Sequence, residues 1–267
     1  MPWQAAIASD PRYVGLYERF DGLVGAKALW DYNATEDNTE VEVTNTLTKH
    51  WELLGTGTET CTRATTGGVI LTTTNSSADS AFIVPNSATV VTSNFASLVW
   101  DFDLQNVWWA SIVTGASVAD VSYFFGLKTD DDFGVDDADL FGISFVSGTS
   151  TSFALAARRN STDLFDSNSY GSAQTRVYNT GIVPAASTAY MVGGWVDRDG
   201  YPTWFIGDQV FKTSIDDPGI LSASAGSTTG GLRGGTSSVT PFLGVQTNTT
   251  AAKTCRLRNV GFFQLYE

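Results

Sequence analysis

The chain has 267 residues, enough for one sizeable core, and its 42% hydrophobic and 12% aromatic content is too rich for disorder. Only 16% is charged, and a formal net charge of -13 opposes direct binding to nucleic-acid phosphates or anionic membrane, because each contact must first overcome repulsion. Thr, Ser, Asn and Gly carry the surface instead, a composition that favours strands over helices.

Residues 1–50 stand apart from the rest. Met1 to Asp10 have neither the basic start nor the sustained apolar run of a signal peptide. Phe20, Leu23 and Val24 lie near helical spacing, but Gly22 and Gly25 weaken a helix there, so the segment reads as an extended arm with one short helix. Val41, Val43 and Leu47 then alternate, as a strand of the arm or the first of the body.

From Trp51 onward the period is that of strands, and residues 51–267 read as one β-sandwich domain. Trp51–Leu53, Thr60–Ala64 and Val69–Leu71 alternate between Gly-bearing turns, and Phe82–Val84 is stopped by Pro85. Ser97–Leu104 alternates cleanly, with Leu98, Trp100, Phe102 and Leu104 on one face and Asp101 and Asp103 on the other. Trp108–Val113, Val121–Leu127, Leu140–Val146, Ser152–Ala157, Val177–Val183 and Ala189–Val196 follow as further strands. Asp199-Gly200 and Gly207-Asp208 then turn a three-stranded meander, and a Gly- and Ser-rich loop over 216–240 precedes closing strands around Phe242–Val245 and Cys255–Leu265. A dozen or more strands suffice for two packed antiparallel sheets, and the lack of a fixed repeat argues against a propeller.

Cys61 and Cys255 lie far apart in sequence. First and last strands of a sandwich often run side by side, so a disulfide and two separate buried thiols are both open readings. His50 is the single histidine, which excludes a site with several His ligands and leaves it as the sole base for any Ser-His-Asp arrangement. Neither Gly-rich phosphate-binding fingerprint is present.

Asp101 and Asp103, roughly 6.5 Å apart on one strand face, have the spacing of a glycosidase pair, although alternation with core residues marks a wet face more simply. Glu40 with Glu42 repeats that pattern. The acidic run from Asp130 to Asp139 makes Asp130, Asp132, Asp137 and Asp139 candidate ligands for a structural calcium, with a plain solvated loop as the alternative; no other cofactor is expected. Trp109, Tyr201 and Trp204 are candidates for stacking a glycan ring. Because Trp108 and Trp109 are adjacent in a strand, they must point to opposite faces, so one of them leaves the core side.

Phe124–Asp132 followed by Leu140–Phe145, the meander ending in Trp204–Val210, and Thr240–Thr247 with Ala251–Thr254 together resemble the concanavalin-like jelly-roll domains of tailed-phage virion proteins. The resemblance covers roughly residues 95–265 and implies an all-β jelly-roll β-sandwich. It further implies a structural virion component on the capsid surface, a decoration or cement protein that binds the major capsid protein, self-associates as a trimer and is not an enzyme. On that reading Trp3, Tyr13, Tyr17, Phe20, Leu23 and Trp30 of the arm contact neighbouring subunits. Two alternatives stand beside it: a lectin-like carbohydrate-binding module, and a polysaccharide hydrolase or lyase. The Glu-x-Asp-x-x-Glu motif of laminarinase-like glycosidases is absent, so that activity does not carry over.

Overall fold

Alternating β-branched and aromatic residues put one apolar row on each side of an extended chain, and such rows are stable only when sheets stack over them. The computed structural model describes residues 13–20, 34–35, 51–55, 59–85, 100–129, 133–165, 177–214, 216, 221, 231–234 and 238–265, and among them the chain is all-β. The strands are β1 (Tyr13–Arg19), β2 (Ala34–Thr35), β3 (Trp51–Gly55), β4 (Thr60–Arg63), β5 (Val69–Thr72), β6 (Ser80–Pro85), β7 (Gln105–Thr114), β8 (Val121–Lys128) and β9 (Leu140–Val146). They continue as β10 (Ala154–Arg159), β11 (Thr162–Asp163), β12 (Tyr178–Asn179), β13 (Ala189–Val196), β14 (Pro202–Ile206), β15 (Gln209–Lys212), β16 (Thr240–Thr247) and β17 (Thr254–Leu265).

Two antiparallel sheets result. One has nine strands in the order β15-β14-β13-β7-β17-β5-β4-β2, with β1 also on β17; the other has eight in the order β11-β10-β9-β8-β16-β6-β3, with β12 on β10. The arrangement is a jelly-roll sandwich, the two packed sheets that the strand pattern implied and the fold that the resemblance implied. Gly207 takes φ 61 in the two-residue turn that leaves Ile206 opposite Gln209, so the meander forms as its turn residues require.

The inner faces meet in one large aromatic core. Trp108 stacks on Phe262 at 6.1 Å and meets Phe141 edge-on at 6.0 Å. Trp204 from the nine-stranded sheet packs on Phe141 at 5.3 Å, and its indole N–H donates to the Gly142 carbonyl of the opposite sheet at 3.1 Å. That bond gives a fully buried donor a partner and ties the two layers together.

The cysteines settle into the second of their two readings. Cys61 pairs in register with Leu71, and Leu71 pairs with Cys255 on its other side. Two strand spacings of about 4.8 Å separate the two cysteines, beyond the roughly 7 Å limit of a disulfide. Both are free, buried thiols. Burial pushes the Cys61 thiol up to about 12 and raises Cys255 as well, so neither is a nucleophile at neutral pH.

Two sequence expectations are corrected here. Tyr13–Arg19, read in the sequence as part of an extended arm with a short helix, is a strand of the body's sheet: it pairs along β17 from Tyr13↔Leu265 to Arg19↔Asn259. The reason is length, since β5 covers only Thr254–Leu257 of the twelve-residue β17, and the remainder of that edge takes β1 as its second partner. Phe20, expected at a subunit interface, is buried in the main core, while Trp3, Leu23 and Trp30 lie outside the described residues. Ser97–Leu104 is no strand either, as far as it is described. Only Trp100 bridges, to Val239, and Asp101–Leu104 turn. The Asp101 carboxylate accepts the Asp103 N–H at 2.8 Å and the Asp101 carbonyl accepts the Leu104 N–H at 3.2 Å, an Asx turn that competes with a ladder.

Candidate functional site

Asp101 and Asp103 are both exposed. Their bonds are structural. Asp103 accepts the Gly234 N–H on its carboxylate at 2.6 Å and Arg233 on its carbonyl at 3.2 Å, and the Asp101 carbonyl accepts the Asn106 and Gln264 amides at 2.8 Å each. A hydrolase pair needs one carboxyl partly desolvated to hold its proton, and these two clamp loops in open solvent instead. Glu40 and Glu42 lie outside the described residues.

The acidic loop is organised by an ammonium ion. Lys128, at the end of β8, is buried, lies 3.2 Å from the Asp137 carboxylate and donates to the Gly134 carbonyl at 3.1 Å. Its Nζ also sits 4.9 Å from the centre of the Phe124 ring and 5.0 Å from that of Phe242. Asp139 is buried and accepts the Asn160 N–H at 2.9 Å. Of the four residues expected to bind calcium, Asp130 and Asp132 lie outside the described residues, and Asp137 and Asp139 already serve protein donors. Among the described residues no group of three metal-ligating side chains forms. Phe133 and Val135 from the same loop cover the outer face of the eight-stranded sheet, over Phe82, Phe124 and Phe242.

The three aromatics expected to stack sugars are buried. Tyr201 and Trp204 belong to the main core, and Trp109 is 0% exposed, stacked on Phe263 at 5.4 Å. None of them offers a ring face. Trp108 and Trp109 do diverge as adjacent strand residues must: Trp108 faces the main core, and Trp109 anchors a separate aromatic cluster on the outer face of the nine-stranded sheet.

That outer face has a readable layout. In register across it run Val210, Phe205, Gly193, Trp109, Gly261 and Tyr17, on β15, β14, β13, β7, β17 and β1. Gly261 is required there, because a Cβ in its place would lie 2.3 Å from the Trp109 ring. The next row places Trp195 beside Val107 and Phe263. Tyr17 is 48% exposed with its ring 6.1 Å from that of Trp109, and Trp195 is partly exposed beside Phe205. The buried cluster thus carries two accessible aromatic rings.

Sequence reasoning missed a polar stretch on β17 that begins one row from Tyr17. Arg256, Arg258 and Asn259 lie on β17, and the signal was Arg258-Asn259, two successive polar residues in a strand that otherwise alternates. The pairing with β7 shifts register between Leu257 and Asn259, which marks a β-bulge at that point.

No family model matches the chain, and no curated protein matches it either. Solved structures do. A protein of unknown function from Shewanella oneidensis MR-1 superposes with a TM-score of 0.53 at 11% identity, covering 99% of this chain and 92% of that one. An uncharacterized protein from Mycobacterium paratuberculosis gives 0.52 at 9% identity, over 92% and 99%. A glycosyl hydrolase family protein from Mycobacterium fortuitum gives 0.50 at 9% identity, over 94% and 99%. At such identities the shared property is the two-sheet fold.

These findings correct two expectations. The named likeness is to a carbohydrate-active protein and not to a capsid component, so the reading as a phage capsid decoration protein is withdrawn. The expectation that the chain has no enzymatic activity is withdrawn with it.

Proposed function

We propose that the protein binds polysaccharide across the outer face of its nine-stranded sheet. The observation that carries this reading is the pair of accessible rings, Tyr17 and Trp195, set on a rigid buried base of Trp109, Phe205 and Phe263. Three strand spacings, about 14 Å, separate β1 from β13, the span of a short oligosaccharide lying across the strands. Sugar rings present flat C–H faces that pack on aromatic rings, and side chains held by packing lose little entropy when they bind. The likeness to a glycosyl hydrolase family protein supports a carbohydrate ligand.

Cleavage of the bound polysaccharide is the second reading, favoured by that same likeness. One experiment separates the outcomes: the protein and its Tyr17→Ala and Trp195→Ala variants are titrated against a panel of polysaccharides, with new reducing ends followed in parallel. Binding that weakens in both variants supports the site. Release of reducing ends adds the enzymatic reading. Binding unchanged in both variants, or absent across the panel, overturns the proposal.

A further inference from the structure

We infer that the glycan this face selects carries carboxylates, and that Arg256 and Arg258 read them, with Asn259 beside them for a sugar hydroxyl. The inference rests on the polysaccharide-binding proposal and names its ligand class.

The geometry starts with the bulge. Leu257 and Val260 both face the core although they stand three positions apart, so the bulged strand leaves Arg258 and Asn259 side by side away from it. Asn259 pairs with Ser111 of β7 and with Arg19 of β1, and Arg256 pairs with Val113 and with Ile70. Asn259 and Ser111 therefore lie one row from Tyr17, which pairs with Gly261 on the same strand, and Arg256 lies one row beyond them. Bulges re-aim side chains in this way beside binding sites.

The groups are also incompletely used. Nε of Arg256, Nε of Arg258 and Oδ1 of Asn259 are shielded from solvent without a hydrogen-bond partner. Arg256 donates one bond, from Nη1 to the Thr66 hydroxyl, which anchors its stem toward the loop before β5. Among the described residues, no carboxylate pairs with Arg256 or Arg258. A chain with 28 acidic and 15 basic side chains has acids in excess, yet among the described residues none sits on these two arginines. Three adjacent under-satisfied polar groups cost stability, and a ligand that completes them returns it. A carboxylate fits the two guanidinium donors, because the planar fork matches it with two parallel hydrogen bonds, whereas Oδ1 of Asn259 is an acceptor and takes a ligand hydroxyl. The Asn259 amide and the Ser111 hydroxyl suit sugar hydroxyls, and Tyr17 takes a ring face. Together they describe a uronic-acid polysaccharide with its acid groups over β17 and its rings over Tyr17 and Trp195.

The test is titration of the full chain with polygalacturonate and with a neutral β-glucan of matched length, repeated for Arg256→Gln, Arg258→Gln and Arg258→Lys, with melting temperatures checked for each. The inference expects polygalacturonate to bind at least tenfold more tightly than the glucan, and Arg258→Gln to remove that preference while glucan binding stays unchanged. Arg258→Lys keeps charge and stem, loses the fork and recovers only part of the preference, which also covers the case in which Arg258→Gln does not fold. Equal affinity for both polymers, or an unchanged preference in folded arginine variants, overturns the inference and leaves polysaccharide binding standing. Binding of neither polymer overturns both.

Discussion

Tyr17 packs its ring against Trp109 at 6.1 Å, although the two residues lie on strands that are not hydrogen-bonded to each other. The contact crosses Gly261 of β17, whose missing side chain leaves room for the indole. A residue from near the amino terminus thereby completes a face whose other members come from the middle and end of the chain.

Trp109 is the keystone of that face. Replacing it with Ala removes a fully buried indole stacked on Phe263, and large-to-small changes of this kind cost about 3–5 kcal/mol. Chemical denaturation should show that loss, and glycan binding should fall with it because Tyr17 loses its support.

The buried thiols make stability depend on alkaline pH. Burial raises Cys61 from 9.0 to about 12 and raises Cys255 in the same direction, and Tyr123 is raised by burial and then by the nearby Cys255. A raised folded-state pKa means that the unfolded chain releases its proton first. The stability they contribute is therefore intact below pH 9 for the thiols and below pH 10 for Tyr123, and is lost as pH climbs further, by up to about 1.4 kcal/mol per pH unit for each group. Denaturation at stepped pH should show this slope, and Cys61→Ala should make it shallower. A thiol reagent should label either cysteine only on unfolding.

Lys128 and Asp137 form an ion pair with side chains 1% and 2% exposed. Lys128→Ala strips the ammonium from a buried carboxylate and should cost about 3–5 kcal/mol in denaturation, whereas Lys128→Met with Asp137→Leu should recover most of it. Because Lys128 supplies the positive charge at Asp137, the melting temperature should be the same in calcium and in EDTA.

Most of the body was legible in the sequence because its strands obey one rule. Val121–Leu127 and Leu140–Val146 are continuous enough to be strands under any face assignment, and Gly207-Asp208 fixes its own turn. Asp101–Leu104 misled because an Asx turn can imitate alternation: the two aspartates point out and Phe102 points in without any ladder. Tyr13–Arg19 was hidden because its role depends on a partner at the far end of the chain, and only the length of β17 creates the vacancy it fills. The accessible rings were misassigned for a related reason. Both outer faces are partly apolar, with Phe124 and Phe242 under a loop on one sheet and Trp109 under its cluster on the other, so an outward aromatic is not the same as an exposed one. The bulge at Arg258-Asn259 left a trace in the sequence as a break in period, the kind of irregularity that marks a site more often than a regular strand does.

The most direct measurement is calorimetric titration of a polysaccharide that the native chain binds into the Tyr17→Ala, Trp195→Ala and doubly substituted proteins. Each ring is expected to contribute about 1.4 kcal/mol, a tenfold weakening per substitution, with little coupling across the strands that separate them. Affinity in the doubly substituted protein equal to that of the native chain would contradict the account.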